Sequence, residues 1–187
     1  MIKLSLSISL LFMIYFLNGC GIHINQLNPV GTLNNVEPKS KNIYVCISKD
    51  ILDNFRVKTV GSLPMNVKHY RESLKAGFSN TFKPFFKDVI FVDEIPNNGT
   101  SIMLTRADIK HVMAKFDDDG NPVTATCRVK YNTILYNEGN AISNSSGEVT
   151  SEEISSNLSG LSQIAEDALG IMLEQVGNKF FGIKSEI

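Results

Sequence analysis

Cysteine is scarce, with three residues in a chain of 187, which excludes a scaffold built on disulfides. Cys46 and Cys127 could pair in an oxidising compartment; the preferred reading is two buried thiols, because free cysteine packs like a small apolar side chain. Histidine is equally thin, at three residues. His23, His69 and His111 stand alone, and without an HxxxH or HExxH pair no local metal site is specified. Neither sign of charge dominates: 18 basic residues face 19 acidic ones, net −1, and the basic residues are scattered. That excludes the electrostatic field a nucleic-acid partner needs. A GxSxG elbow, a Walker glycine loop, a dinucleotide fingerprint and a solenoid-length repeat are all missing. The expectation is a chain without cofactor or metal and without an enzymatic role.

Long apolar runs are missing too, save one. After Lys3, residues Leu4 to Leu17 carry no charge. As a helix these fourteen residues would measure about 21 Å, short of the roughly 30 Å hydrocarbon core of a bilayer. A short basic start followed by such a run has the pattern of a signal peptide. The run ends in Leu17-Asn18-Gly19-Cys20, which resembles the lipobox of bacterial lipoproteins. Asn18 departs from that pattern, where a small residue such as alanine or serine is usual. The resemblance implies that Cys20 receives a thioether-linked diacylglyceryl group and becomes the mature N-terminus, often N-acylated. Several acyl chains hold a protein firmly where one holds it only marginally. Gly21, where an aspartate would retain the protein, resembles the signal that permits passage to the outer membrane. The implied location is the outer membrane, with the body of the protein facing the periplasm.

The expected organisation is a signal peptide over residues 1–19, a lipidated N-terminus and flexible tether over 20–41, one domain over 42–182 and a tail over 183–187. Gly21 to Asn42 mixes Asn, Gly, Pro, Ser and Lys with little apolar periodicity, as linkers do. A flexible coil of that length reaches about 25 Å. A short edge strand at Gly21 to Leu27 is the other reading. Within the domain, Asn42–Ser48 alternates as a strand and Phe55–Gly61 reads as a second, short one. Val67, Tyr70, Leu74, Phe78 and Phe82 fall on one helical face, with Asn66 as the expected N-cap and Pro84 as the terminator. Asp88–Ile95 is a dense strand. Ser101–Phe116 is a long one whose alternation changes phase near Thr105 to Lys110, as a bulge would cause. Val123, Ala125, Cys127, Val129, Tyr131 and Leu135 make the apolar face of the next strand, opposite Thr124, Thr126, Arg128, Lys130 and Asn132. Ala141–Thr150 is a wetter strand towards an edge. A helix over about 158–181 closes the chain. The predicted fold class is α+β: a two-layer sandwich of a mainly antiparallel sheet of four or five strands with two helices on one face.

Asp117, Asp119 and Asn121 have the spacing of calcium-loop ligands. Pro122 and Arg128 then occupy the positions where such a loop needs glycine and glutamate. Asp-Gly-Asn-Pro between strands is turn chemistry. Asp117, Asp118, Asp119 and Asn121 are instead a candidate partner surface. In architecture alone, the order of elements looks like that of accessory envelope lipoproteins serving lipopolysaccharide export and ABC transport. That resemblance implies a non-enzymatic protein, anchored through Cys20, that binds or braces an envelope protein, with no nucleic acid. The alternative is a carrier of a lipid or small apolar ligand, in a helix–sheet cleft lined by Phe78, Phe82 and Phe85. A hydrolase would need a cluster drawn from Asp88, Asp93, Asp108 or His111.

Overall fold

The computed structural model describes residues 22–34, 36–57, 65–116, 118–119, 122–153 and 160–182. The Leu17–Cys20 stretch, Asp117, Asn121 and the 183–187 tail lie outside the described residues. In chain order the elements are β1 (Ile22–Ile24), β2 (Ile43–Ile47), β3 (Phe55–Val57), β4 (Met65–Val67), α1 (Tyr70–Phe82), β5 (Val89–Val92), β6 (Thr100–Phe116), β7 (Pro122–Asn137), β8 (Asn140–Glu153) and α2 (Gly160–Phe181). They build a five-stranded sheet of order β5-β2-β6-β7-β8 and a three-stranded sheet of order β1-β4-β3.

The α+β class and the two helices are as expected; a mainly antiparallel sheet is not. Both sheets are mixed. β2 pairs in parallel with β5 and β6, while β6–β7 and β7–β8 are antiparallel. Parallel neighbours require a crossover, and the chain makes one through α1 between β2 and β5. The long hairpins follow the sequence pattern more closely. Register shifts fall at Leu104/Arg106 and Ile109/His111, where the alternation changes phase. β7 turns into β8 through Glu138 and Gly139, both at positive φ (51° and 75°), the two-residue turn whose twist suits a hairpin.

One face of the large sheet carries the core. Ile102, Leu104, Ala107 and Ile109 of β6 and Ala125, Cys127, Val129, Tyr131 and Leu135 of β7 are buried. The helices cover this face. The Tyr131 hydroxyl donates to Gln175 Oε1 at 2.9 Å, and the Tyr70 hydroxyl to the Ala107 carbonyl at 2.9 Å. Between the helices, Phe82 lies among Phe78, Phe86 and Phe181, with ring centroids 5.7–6.2 Å from its own.

Helix α1 starts later than the sequence pattern suggests. Asn66 sits inside β4, and the N-cap is His69, in the left-handed region at φ 53° without a side-chain cap bond. The free amides of the first turn are satisfied from elsewhere. Asp53 accepts from Arg71 N–H through Oδ1 at 3.0 Å and from Tyr70 N–H through its carbonyl at 2.9 Å. The expected cap was local; the actual one is supplied by a neighbouring loop.

The expected loose tether is likewise corrected. β1 pairs in parallel with β4, and Leu27, Leu33 and Val36 are buried. Residues 25–34 form a strap laid between the two helices. Its amides donate to helix side chains: Leu27 to Ser73 Oγ, Asn28 to Glu166 Oε1, Gly31 to Thr81 Oγ1 and Asn34 to Asn178 Oδ1, each at 2.9–3.0 Å. Ser73, Gly77 and Thr81 recur every fourth residue on α1, and Glu166, Gly170 and Asn178 share a stripe on α2, so each helix presents one small or polar row to the strap. A Cβ on Gly170 would stand 2.5 Å from the Val30 carbonyl oxygen, and one on Gly77 would stand 2.7 Å from Pro29 Cγ. Residues 22–34 and 36 of the expected tether are therefore part of the folded body.

Candidate functional site

The second face of the large sheet is built by the alternate residues of the same strands, and its two ends differ in chemistry. Towards the β6–β7 turn it is charged. Arg106 and Lys110 flank Asp108 at 2.7 and 3.4 Å, and Lys130 and Arg128 reach Glu148 at 3.2 and 3.8 Å. All four pairs are substantially exposed, so each contributes little to stability.

Towards the other end the face becomes apolar. Register places Met103 opposite Ile134, with Tyr136 one pair along; the Tyr136 hydroxyl lies 4.0 Å from Met103 Sδ. Ile134, Tyr136 and Met103 are half-buried, and Ile142, at the β8 register shift, is 61% exposed. An open depression of about 450 Å³ lies here, lined by Asn132, Ile134, Ala141, Ser143 and Asn144. The side chains are held by ladder pairing on a rigid sheet, which suits a pre-formed contact surface. Further across, Cys46 is covered: its Sγ donates to the Asp93 carbonyl at 3.4 Å, from the β5–β6 connection. Burial raises the Cys46 thiol pKa, with the Asp93 charge adding to it.

Of the expected partner surface, Asp118 and Asp119 are exposed in the β6–β7 turn, and Asp117 and Asn121 lie outside the described residues. Asp118 is about 50 Å of extended chain from Met103 at 3.3 Å per residue. Of the hydrolase candidates, Asp88 and Asp93 are exposed at opposite ends of β5, Asp108 is held by Arg106 and Lys110, and the side chain of His111 lies outside the described residues. Among the described residues no group of three His, Cys, Asp or Glu side chains could hold a metal. The carrier's cleft is filled: Phe78 and Phe82 are fully buried against other rings. Cys46 and Cys127 are both free and buried. They belong to opposite sheet faces, so they do not pair; burial pushes the Cys127 thiol up to about 12. The apolar end of the second face was missed by sequence reasoning, which followed the polar side of β7 only to Asn132. Ile134 and Tyr136 continue the same alternation and were the available signal.

No protein-family model matches the chain, and no curated protein matches it in sequence. Among solved structures, it shares its fold with a protein from Xanthomonas campestris described by the family model DUF330: 11% identity, 85% of this chain and 94% of the other covered, TM-score 0.54. Two lesser likenesses are to lipoproteins. One is a minor lipoprotein from Acinetobacter baumannii, at 8% identity, 76% and 91% coverage and TM-score 0.41. The other is rare lipoprotein B from Shewanella oneidensis, at 11% identity, 74% and 89% coverage and TM-score 0.42. Among the described residues no helix is long and apolar enough to cross a membrane.

Proposed function

We propose that this chain is a non-enzymatic envelope lipoprotein, held in the outer membrane through acylated Cys20 with its domain in the periplasm. There it binds one protein partner across the apolar end of its uncovered sheet face, as an accessory to outer-membrane assembly or transport. The anchor rests on the apolar leader ending in Leu17-Asn18-Gly19-Cys20. Partner binding rests on one observation: a sheet with one face sealed by helices keeps Met103, Ile134 and Tyr136 half-buried together on the other, with Ile134 lining an open depression. Contiguous exposed apolar surface beside polar surface is how interaction sites differ from the rest of a protein. The carrier reading loses its support because its aromatic row is consumed by the core.

The test is photo-crosslinking in intact envelopes, with the probe placed in turn at Ile134, Thr150 and Asp118. A single adduct from position 134, absent at 150 and abolished by a neighbouring Met103→Glu that leaves the unfolding midpoint nearly unchanged, is the expected result. An adduct at 118 alone moves the contact to the acidic turn, against this reading. Radiolabelled palmitate entering the native chain but not Cys20→Ser checks the anchor separately.

A further inference from the structure

The strap removes the slack between membrane and domain. β1 begins at Ile22 and is locked into the three-stranded sheet, with Lys68 N–H donating to the Ile24 carbonyl at 2.9 Å. Cys20 is two positions upstream, so covalent geometry alone keeps its Cα within about 7 Å of that of Ile22. If Cys20 carries the acyl chains, the small sheet lies at the headgroup layer. The domain cannot be lifted clear of it.

The surface this sheet turns outward is suited to that position. Register sets His23, Asn66 and Arg56 side by side across the three strands, and Lys68 follows two residues after Asn66. His23, Arg56 and Lys68 are exposed. The row contains no acid, and neither Arg56 nor Lys68 has an ion-pair partner among the described residues. On the large sheet, by contrast, Arg106, Lys110, Arg128 and Lys130 all face a carboxylate. Basic side chains within a Debye length of an anionic lipid surface are attracted to it, while the same charges further out are screened.

We propose that the outward row of the three-stranded sheet, Arg56 and Lys68 with His23, is the membrane face of the domain, resting on anionic lipid headgroups of the bilayer that holds Cys20. This rests on the lipoprotein reading. Two cations would not recruit a free protein. In a domain whose first strand is tied to Cys20, they fix which side faces the bilayer.

The experiment uses the purified full-length lipidated protein in vesicles of phosphatidylethanolamine and phosphatidylglycerol, with nitroxide-headgroup lipid as quencher. A fluorophore is placed at Asn66→Cys or, in a second sample, at Thr150→Cys on the large sheet. Quenching about threefold or more stronger at 66 than at 150 is expected. Arg56→Glu with Lys68→Glu, or replacement of phosphatidylglycerol by phosphatidylcholine, should reduce the difference. Equal quenching at both sites in protein whose mass shows the acylated cysteine overturns the orientation alone. An unacylated mass in the same preparation overturns the anchor and the orientation with it. Strong quenching at 66 that ignores both the charge reversal and the lipid change refutes the headgroup contact.

Discussion

Gly170→Ala tests whether the strap is part of the fold. Gly170 lies inside α2, where alanine is favoured over glycine by about 1 kcal/mol. On propensity alone the substitution stabilises. The structure gives the opposite sign: the new methyl would stand 2.5 Å from the Val30 carbonyl oxygen and 3.2 Å from its carbon. Both are backbone atoms of the strap and cannot rotate aside. Relief requires lifting the strap near Gly31, which breaks the Gly31 N–H to Thr81 Oγ1 bond, worth about 1 kcal/mol. It also partly uncovers Leu33, a buried leucine whose full exposure costs about 1.5–3 kcal/mol. Set against the propensity gain, the net loss is about 1–3 kcal/mol. The assay is urea unfolding of the soluble domain starting at Gly21. With a slope near 2 kcal/mol per molar urea, the midpoint falls by roughly 0.5–1.5 M. A cycle with Thr81→Ala locates the effect. Thr81→Ala alone costs about 1 kcal/mol, but in the Gly170→Ala background less than about 0.5 kcal/mol, because the bond it removes is already broken. A Gly170→Ala domain more stable than the parent, or strict additivity in the cycle, would show that the strap is not seated on the helices.

Cys127 predicts an alkaline slope. Its thiol titrates near 9.0 when unfolded and at about 12 when folded. The folded state therefore keeps a proton that the unfolded state loses, and stability present below pH 9 is lost as pH rises towards 12. That contribution approaches 1.4 kcal/mol per pH unit and should be missing from Cys127→Ala, whose remaining alkaline slope comes from the other raised groups, Cys46 and Tyr70, as followed by urea midpoints against pH. Asp53→Ala should lower stability by about 0.5–2 kcal/mol by uncapping α1, with Asp53→Asn costing less, measured in the same way. An Asp53→Ala domain as stable as the parent would refute the cap.

What the sequence showed and hid follows from where each signal is encoded. The β7 alternation, the phase change in β6 and the apolar stripe of α2 are local patterns, and each formed as its pattern demands. Parallel pairing is not local. The residues of β2 and β5 read the same whether their neighbours run parallel or antiparallel, so the mixed sheet was hidden. Asn66 has the chemistry of a cap but was taken by a strand, while the cap came from Asp53 in another loop. The strap is the clearest case. Its Asn, Pro and Gly content reads as linker, and Leu27, Leu33 and Val36 have no period. Its binding partners are side chains 46 to 144 positions away. The trace it leaves is indirect: glycine at 77, 170 and 177 inside helices, where glycine is disfavoured unless something packs close. For the candidate contact face, the outward alternation of β7 was read from Thr124 to Asn132, and its last two outward residues, Ile134 and Tyr136, were not.

Docking the strap onto the final helix has a consequence for biogenesis. Asn28 and Asn34 are held by Glu166 and Asn178, 138 and 144 positions further along the chain and so made much later. Until they are made, the strap has no partner on α2, so it cannot take its native seat before the last helix exists. Seating the strap is then a late step, a contact of high sequence separation and correspondingly slow formation.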